Sequence, residues 1–273
     1  MIILSITLFF LLSFKLGYKY RKSLFGRRKI EDRSRQIPMH GNLSATCFVL
    51  MYANRIVSTH CAKFIIGACL LRWILDRKVP VLLDAAHPGG LTLSFENDFP
   101  FDEKMEEEVC AIVRDACGDD RFLDYGELDS WAKKAYRKVS KLDELAREIA
   151  RKWLSEGELL EKGLSFTETG QKEAVRVIGL RNYLDDVIAG KERDVDESLM
   201  KDYLVLAGLF GTARQLADAF AQQSPEAYGK LAESAGLDTD TLTAAIHYTV
   251  RISESAMENA RKERERNENK QNP

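Results

Sequence analysis

The stretch GLRNYLDDVIAGKERDVDESLMKDYLVLAGLFGTARQLADAF, residues 179–220, sets aromatic and aliphatic residues at helical spacing on both sides of a charged break. Val177, Ile178, Leu184, Val187 and Ile188 share one face of a helix expected over 171–189. Leu199, Tyr203, Leu206, Phe210, Ala213, Ala217 and Phe220 share a face of a second, expected over 196–222. Lys191–Asp196 makes the turn between them. Gly208 and Gly211 interrupt the densest apolar run, where they let a neighbour approach closely or break the helix. The stretch therefore reads first as a packing device, with the two helices closing on each other at Gly208. Its outer side is left for a protein partner or a second copy.

Working outward, helices are expected over 225–235 and 239–260. The tail RKERERNENKQNP, 261–273, has no apolar period and is expected to be solvated. Upstream, 44–53 and 58–77 read as helices, capped by Ser44 and by Ser58 or Thr59. The second is apolar enough to be a core helix, and Lys63 and Arg72 exclude it as a membrane span. Two β runs, 79–83 and 91–95, flank the HPGG turn at 87–90. Helices followed by a hairpin suggest a winged helix, and the order recurs. Helices at 102–117, 124–140 and 141–155, the last with Ser140 and Asp143 as a capping box, precede a wing or loop at 157–170.

The chain opens MIILSITLFFLLSFKLGYKYRKSLFGRRKI. Met1–Phe14 is almost wholly apolar, and Lys19, Arg21, Lys22, Arg27, Arg28 and Lys29 crowd its carboxyl side. No positive charge precedes the apolar run and no small-x-small site follows it, which argues against a cleaved signal peptide. A basic flank on that side stays cytoplasmic. Near an anionic surface each such residue contributes about 1 kcal/mol. The 273 residues carry a net charge of −2, which hides an asymmetry. Residues 1–40 hold nine Lys/Arg against two Asp/Glu, and the remainder 31 against 40. An acidic body disfavours nucleic acid. So does the acidic Asp143–Glu144 start of the helix expected at 141–155, where a recognition helix would meet DNA. The one basic surface is Lys133, Lys134, Arg137, Lys138 and Lys141.

Five cysteines, Cys47, Cys61, Cys69, Cys110 and Cys117, lie in apolar helical surroundings without a CxxC and are expected to be reduced. Cys47, His60 and Cys61 match no zinc spacing. HPGG lacks the strand–loop–helix context and the Lys-Ser/Thr ending of a phosphate loop. His40, His60, His87 and His247 are scattered, and the acids at 185, 186 and 192–197 read as an interhelix loop rather than an acid–base pair. No catalytic, cofactor-binding or metal-binding residue is assigned. Neither an enzyme nor a small-molecule substrate is expected.

The residues Gly179, Asn182, Tyr183, Leu184 and Asp186, then Glu192 and Arg193, then Tyr203, Leu204, Ala207, Phe210 and Gly211 form a phrase. The phrase resembles one in the YciQ-like predicted membrane proteins, domain-of-unknown-function family 2207. The similarity runs over roughly 100–223 and, more weakly, over 37–99. Leu180 stands where that family has Phe. No extracellular β domain precedes the expected span, and no further spans or Gly-rich tail follow residue 223, so a shortened member or a cytosolic fragment is expected. The resemblance implies membrane location and fold, and the family has no established activity.

The expected architecture is mainly α with small β-hairpins. A transmembrane anchor (1–20) leads through a basic juxtamembrane linker (21–40) to winged-helix-like units at 41–99 and 100–170. A helical region (171–260) and a charged tail (261–273) follow. The expected function is a single-pass, membrane-anchored cytosolic scaffold or adaptor, its basic flank on anionic lipid. Its partner is a protein or a second copy, bound through the helical region. The alternative is a membrane-tethered nucleic-acid-binding regulator.

Overall fold

Ten α-helices and one three-stranded antiparallel sheet make up most of residues 32–52, 61–83, 90–124, 126–161 and 165–271, which the computed structural model describes. The anchor expected at 1–20, the linker up to residue 31, the caps at Ser58 and Thr59 and the turn at 87–89 lie outside these residues. In chain order the elements are α1 (Leu43–Tyr52), α2 (Cys61–Leu75), β1 (Val81–Leu83), β2 (Leu91–Ser94), α3 (Lys104–Cys117) and β3 (Phe122–Leu123). Then come α4 (Glu127–Lys134), α5 (Tyr136–Glu156), α6 (Glu168–Ile188), α7 (Met200–Phe210), α8 (Ala213–Gln223), α9 (Pro225–Ser234) and α10 (Thr239–Gln271). Short 3-10 turns at Pro38–Gly41 and Glu197–Leu199 precede α1 and α7. Among the described residues no helix is long and apolar enough to cross a membrane.

The core is organised around α2. A helix that is apolar on all sides has to be buried on all sides, and α2 packs against α5, α7 and α10. Ile65, Ile66, Cys69, Leu70, Trp73 and Ile74, the helical-period residues of the sequence, are all buried. Trp73 meets Phe95, Phe99 and Phe101 at ring-centroid distances of 6.2, 5.4 and 6.3 Å, tying α2 to the segment after β2. Small residues on α2 let two helices approach. An added Cβ on Gly208 of α7 would lie 3.2 Å from the Ala68 Cα, and one on Gly67 would lie 3.0 Å from the Ser253 hydroxyl of α10. The close approach at Gly208 is thus to α2, not to the helix at 171–189. Buried Tyr183 and Tyr203 rings, 5.8 Å apart, join α6 to α7 instead.

Several boundaries differ from the sequence expectation, each for a local reason. Asn42, not Ser44, caps α1: its side-chain oxygen accepts the Ala45 N–H at 2.8 Å. The chain breaks at Ala135, and Asp143 lies inside α5 rather than at a helix start. The capping box at Ser140–Asp143 does not form, because Val139, Leu142, Ala146, Ala150 and Leu154 continue one buried face through it. The hairpin expected over 79–83 and 91–95 pairs β1 with β2 (Leu82 opposite Thr92), and β2 pairs in addition with β3 (Leu93 opposite Leu123), which was not expected. The boundary expected at 99/100 therefore crosses a single sheet. Among the described residues of 157–170, Leu160 and Phe166 form a single antiparallel bridge. The break that the sequence allowed near Gly208–Gly211 within 196–222 does occur, at Gly211, which takes the left-handed conformation (φ 76°) and ends α7.

The charged tail is helical to Gln271. Arg261 bridges Glu258 and Glu265, and Arg264 pairs with Glu268, so ion pairs at i+3 and i+4 spacing carry the helix where the apolar period stops. Cys47 is disulfide-bonded, against the expectation of reduced thiols, which rested on compartment and took no account of which sulfurs the fold brings together. Cys69, Cys110 and Cys117 are free and buried.

Candidate functional site

The resemblance phrase spans α6, its following loop and α7, and the structure gives Asn182, Tyr183, Asp186, Glu192 and Tyr203 a shared task. They hold the strap Asp32–Gln36, the described end of the basic linker. Gly179 faces the strap backbone: an added Cβ would stand 3.1 Å from both the Ser34 nitrogen and the Ser34 Cβ. One turn on, the Asn182 amide donates to the Asp32 carbonyl at 3.3 Å. Asp186, a further turn along the same helix, pairs with Arg33.

The loop and α7 complete the clasp. The two ends of the Arg35 guanidinium reach Glu192 and Asp194, each at 3.0 Å. Its carbon sits 5.4 Å from the centre of the Tyr183 ring, a cation–π distance. Tyr203 donates its hydroxyl to the Arg35 carbonyl at 2.7 Å, and Tyr183 donates to the Asp194 carbonyl at 3.2 Å, fixing the loop that presents the acids. Two tyrosines thus serve twice, their rings in the core and their hydroxyls on the strap (Tyr203) and on the loop that holds it (Tyr183).

The electrostatics follow from these contacts. The hydrogen bond from Arg33 holds Asp186 below its usual value. Glu192 is lowered first by the Asp194 backbone N–H and then by Arg35. Arg35 is raised by Asp194 and Glu192. Burial raises the Tyr183 and Tyr203 phenols, so both remain donors at neutral pH. The ion pairs are open to water, with Arg33 50%, Arg35 46% and Asp194 87% exposed. Exposed pairs are individually weak and screened by salt.

A second polar cluster lies on a cleft of about 600 Å³ lined in part by His40, Arg72, Glu103 and Lys201. Arg72 of α2 donates to Glu106 at 2.8 Å, to Glu103 at 3.2 Å and to the Gly41 carbonyl at 2.6 Å. Glu103 also accepts the Leu43 and Ser44 N–H groups at the start of α1, at 2.8 and 3.3 Å. A carboxylate on a helix N-terminus offsets its exposed donors and its dipole. Glu103 and Glu106 are almost wholly buried, with 6% and 0% side-chain exposure. Burial, with a smaller push from Glu106, raises the Glu103 carboxyl above its usual range despite these partners. Burial also opposes the Arg72 charge, but Glu103 and Glu106 outweigh it and raise Arg72. The cluster joins α1, α2 and α3. Lys201–Asp76, at 2.8 Å, adds α7 beside it.

Comparison with family models, curated proteins and solved structures returns no match for this chain.

The sequence placed Asp185, Asp186 and the acids at 192–197 in a charged interhelix loop. The acids at 192–196 do lie between α6 and α7, but Asp185 and Asp186 belong to the last turn of α6, whose buried Leu184 and Val187 carry the helix through them. The role of Asp186, Glu192 and Asp194 as acceptors for Arg33 and Arg35 was missed. One signal existed: Arg33-x-Arg35 and Glu192-x-Asp194 share an i, i+2 spacing, which in extended chain puts both charges on one side. The basic surface is only partly free, since Lys138 pairs with Asp115 at 2.9 Å. Asp143 and Glu144 sit inside α5 and not at a helix start, so their expected effect on a recognition helix loses its geometry. Burial raises the Cys69, Cys110 and Cys117 thiols, Cys117 to about 12, which keeps them protonated and unreactive.

Proposed function

We propose that this chain is a membrane-anchored, non-enzymatic scaffold whose cytosolic body is latched to its own juxtamembrane linker. The observation that supports it best is the strap itself. The segment that directly continues the basic flank is held at both its arginines and along its backbone, by residues of the phrase that resembles the YciQ-like family. From the end of the expected anchor near residue 20 to Asp32 is about 12 residues, so the body would hang within about 40 Å of the lipid. Membership of that family, and two winged-helix-like units at 41–99 and 100–170, belong to the same proposal. The α1–α2–β1–β2 order fits such a unit, with the sheet shared between the two. Nucleic acid is the weaker partner, because residues 41–273 carry nine more acids than bases. The test is a reporter fused after Pro273 in the full chain. Membrane retention with a cytoplasmic reporter is expected, and a chain that stays in the soluble fraction or places the reporter outside would overturn the proposal.

A further inference from the structure

Arg33 and Arg35 close a basic run that begins at Lys19. Their clasp is acidic: Asp186, Glu192 and Asp194 take the two guanidiniums, and Asp196 and Glu197 follow in the same loop. A guanidinium fork fits a phosphate as well as a carboxylate. Arg35 already turns both of its terminal nitrogens to the clasp, so its end-on fork is not free for a headgroup while docked. An anionic surface would also repel the emptied clasp within a Debye length, about 8 Å at physiological salt.

We propose that the Asp32–Gln36 strap is a two-position element that binds either its acidic clasp or the phosphate headgroups of an anionic lipid surface. Anionic lipid pulls the strap off α6 and α7, and neutral lipid leaves it docked. The proposal rests on the membrane-anchored function proposed above. Undocking uncovers Tyr183 and Tyr203, which are 2% and 0% exposed when the strap is in place. The open body presents two tyrosines rimmed by carboxylates, a surface hidden in the closed state.

The experiment places the full chain in nanodiscs of phosphatidylcholine or of phosphatidylserine-rich lipid and reads hydroxyl-radical modification of Tyr183 and Tyr203 by mass spectrometry. In phosphatidylserine their modification rises about tenfold, within what two basic residues at an anionic surface can drive. The double variant Arg33→Gln/Arg35→Gln is highly modified in both lipids. Equal protection of the wild-type tyrosines in both lipids, with the chain inserted, overturns the switch and leaves the anchor standing. Protection of the double variant equal to wild type also overturns it, since the strap would not then be the cover. A chain that does not stay with the discs overturns the anchor, and the switch falls with it.

Discussion

Arg72 carries the sharpest residue-scale consequence. It lies between two buried carboxylates, and removing one partner of such a cluster leaves unpaired buried charge. Arg72→Met should cost about 3–5 kcal/mol at neutral pH. Glu103→Gln should cost less, about 1–2 kcal/mol, because the amide oxygen can still accept an N–H from α1. The two also differ in pH dependence. Glu103 is raised, chiefly by burial, so its contribution is complete in acid and is lost as pH rises through the folded value. Urea unfolding between pH 5 and 8 should show the Arg72→Met deficit shrinking toward acid and Glu103→Gln flattening the profile. A pH-independent Arg72→Met deficit would mean that the carboxylates do not carry the cost. In the sequence, Arg72 was legible only as a charge too many for a membrane span. Its partners sit 31 and 34 residues away, beyond the reach of any local period.

At the scale of elements, the contact of α7 with α2 and the docking of the strap each make a separate claim. Gly208→Leu should separate α7 from α2 and cost about 1–3 kcal/mol. Gly208→Ala meets Ala68 at 3.2 Å, but alanine gains about 1 kcal/mol of helix propensity. Its thermal midpoint should therefore stay close to wild type. A midpoint unmoved by Leu would place Gly208 on an open face. For the strap, Asp186 and Glu192 lie below their ordinary 3.8 and 4.5. Their contribution is complete above those values and is lost as pH falls through the lowered ones. Radical modification of Tyr203 should thus rise below about pH 4 while circular dichroism still reports intact helices. Tyr203 staying protected until the helices melt would contradict a separately releasable strap. The apolar faces of α2, α6 and α7 were legible because burial leaves a period in the sequence. β3, two residues long, leaves none, and α10 beyond Ala260 runs on ion pairs that resemble a solvated tail.

For the molecule as a whole, the α6–loop–α7 phrase serves the strap, joining it to the body. Apolar spacing showed the phrase as packing, and the aromatic and aliphatic residues do pack. The polar members could not be assigned from spacing, because their partner lies about 150 residues earlier in a segment without a period. Gly179 separates the two roles most cleanly. The three atoms nearest to a Cβ added there all belong to the strap, at Ser34 and Asp32, so a side chain would meet the strap first in a chain that has it. The decisive measurement is urea unfolding of Gly179→Leu and its parent in two chains, one beginning at Asp32 and one at Ile37. In the chain with the strap the substitution should cost about 1–3 kcal/mol. In the chain without it the substitution should be neutral or stabilise by up to about 1 kcal/mol, from helix propensity. An equal effect in both chains would contradict the account, since Gly179 would then be serving α6 alone.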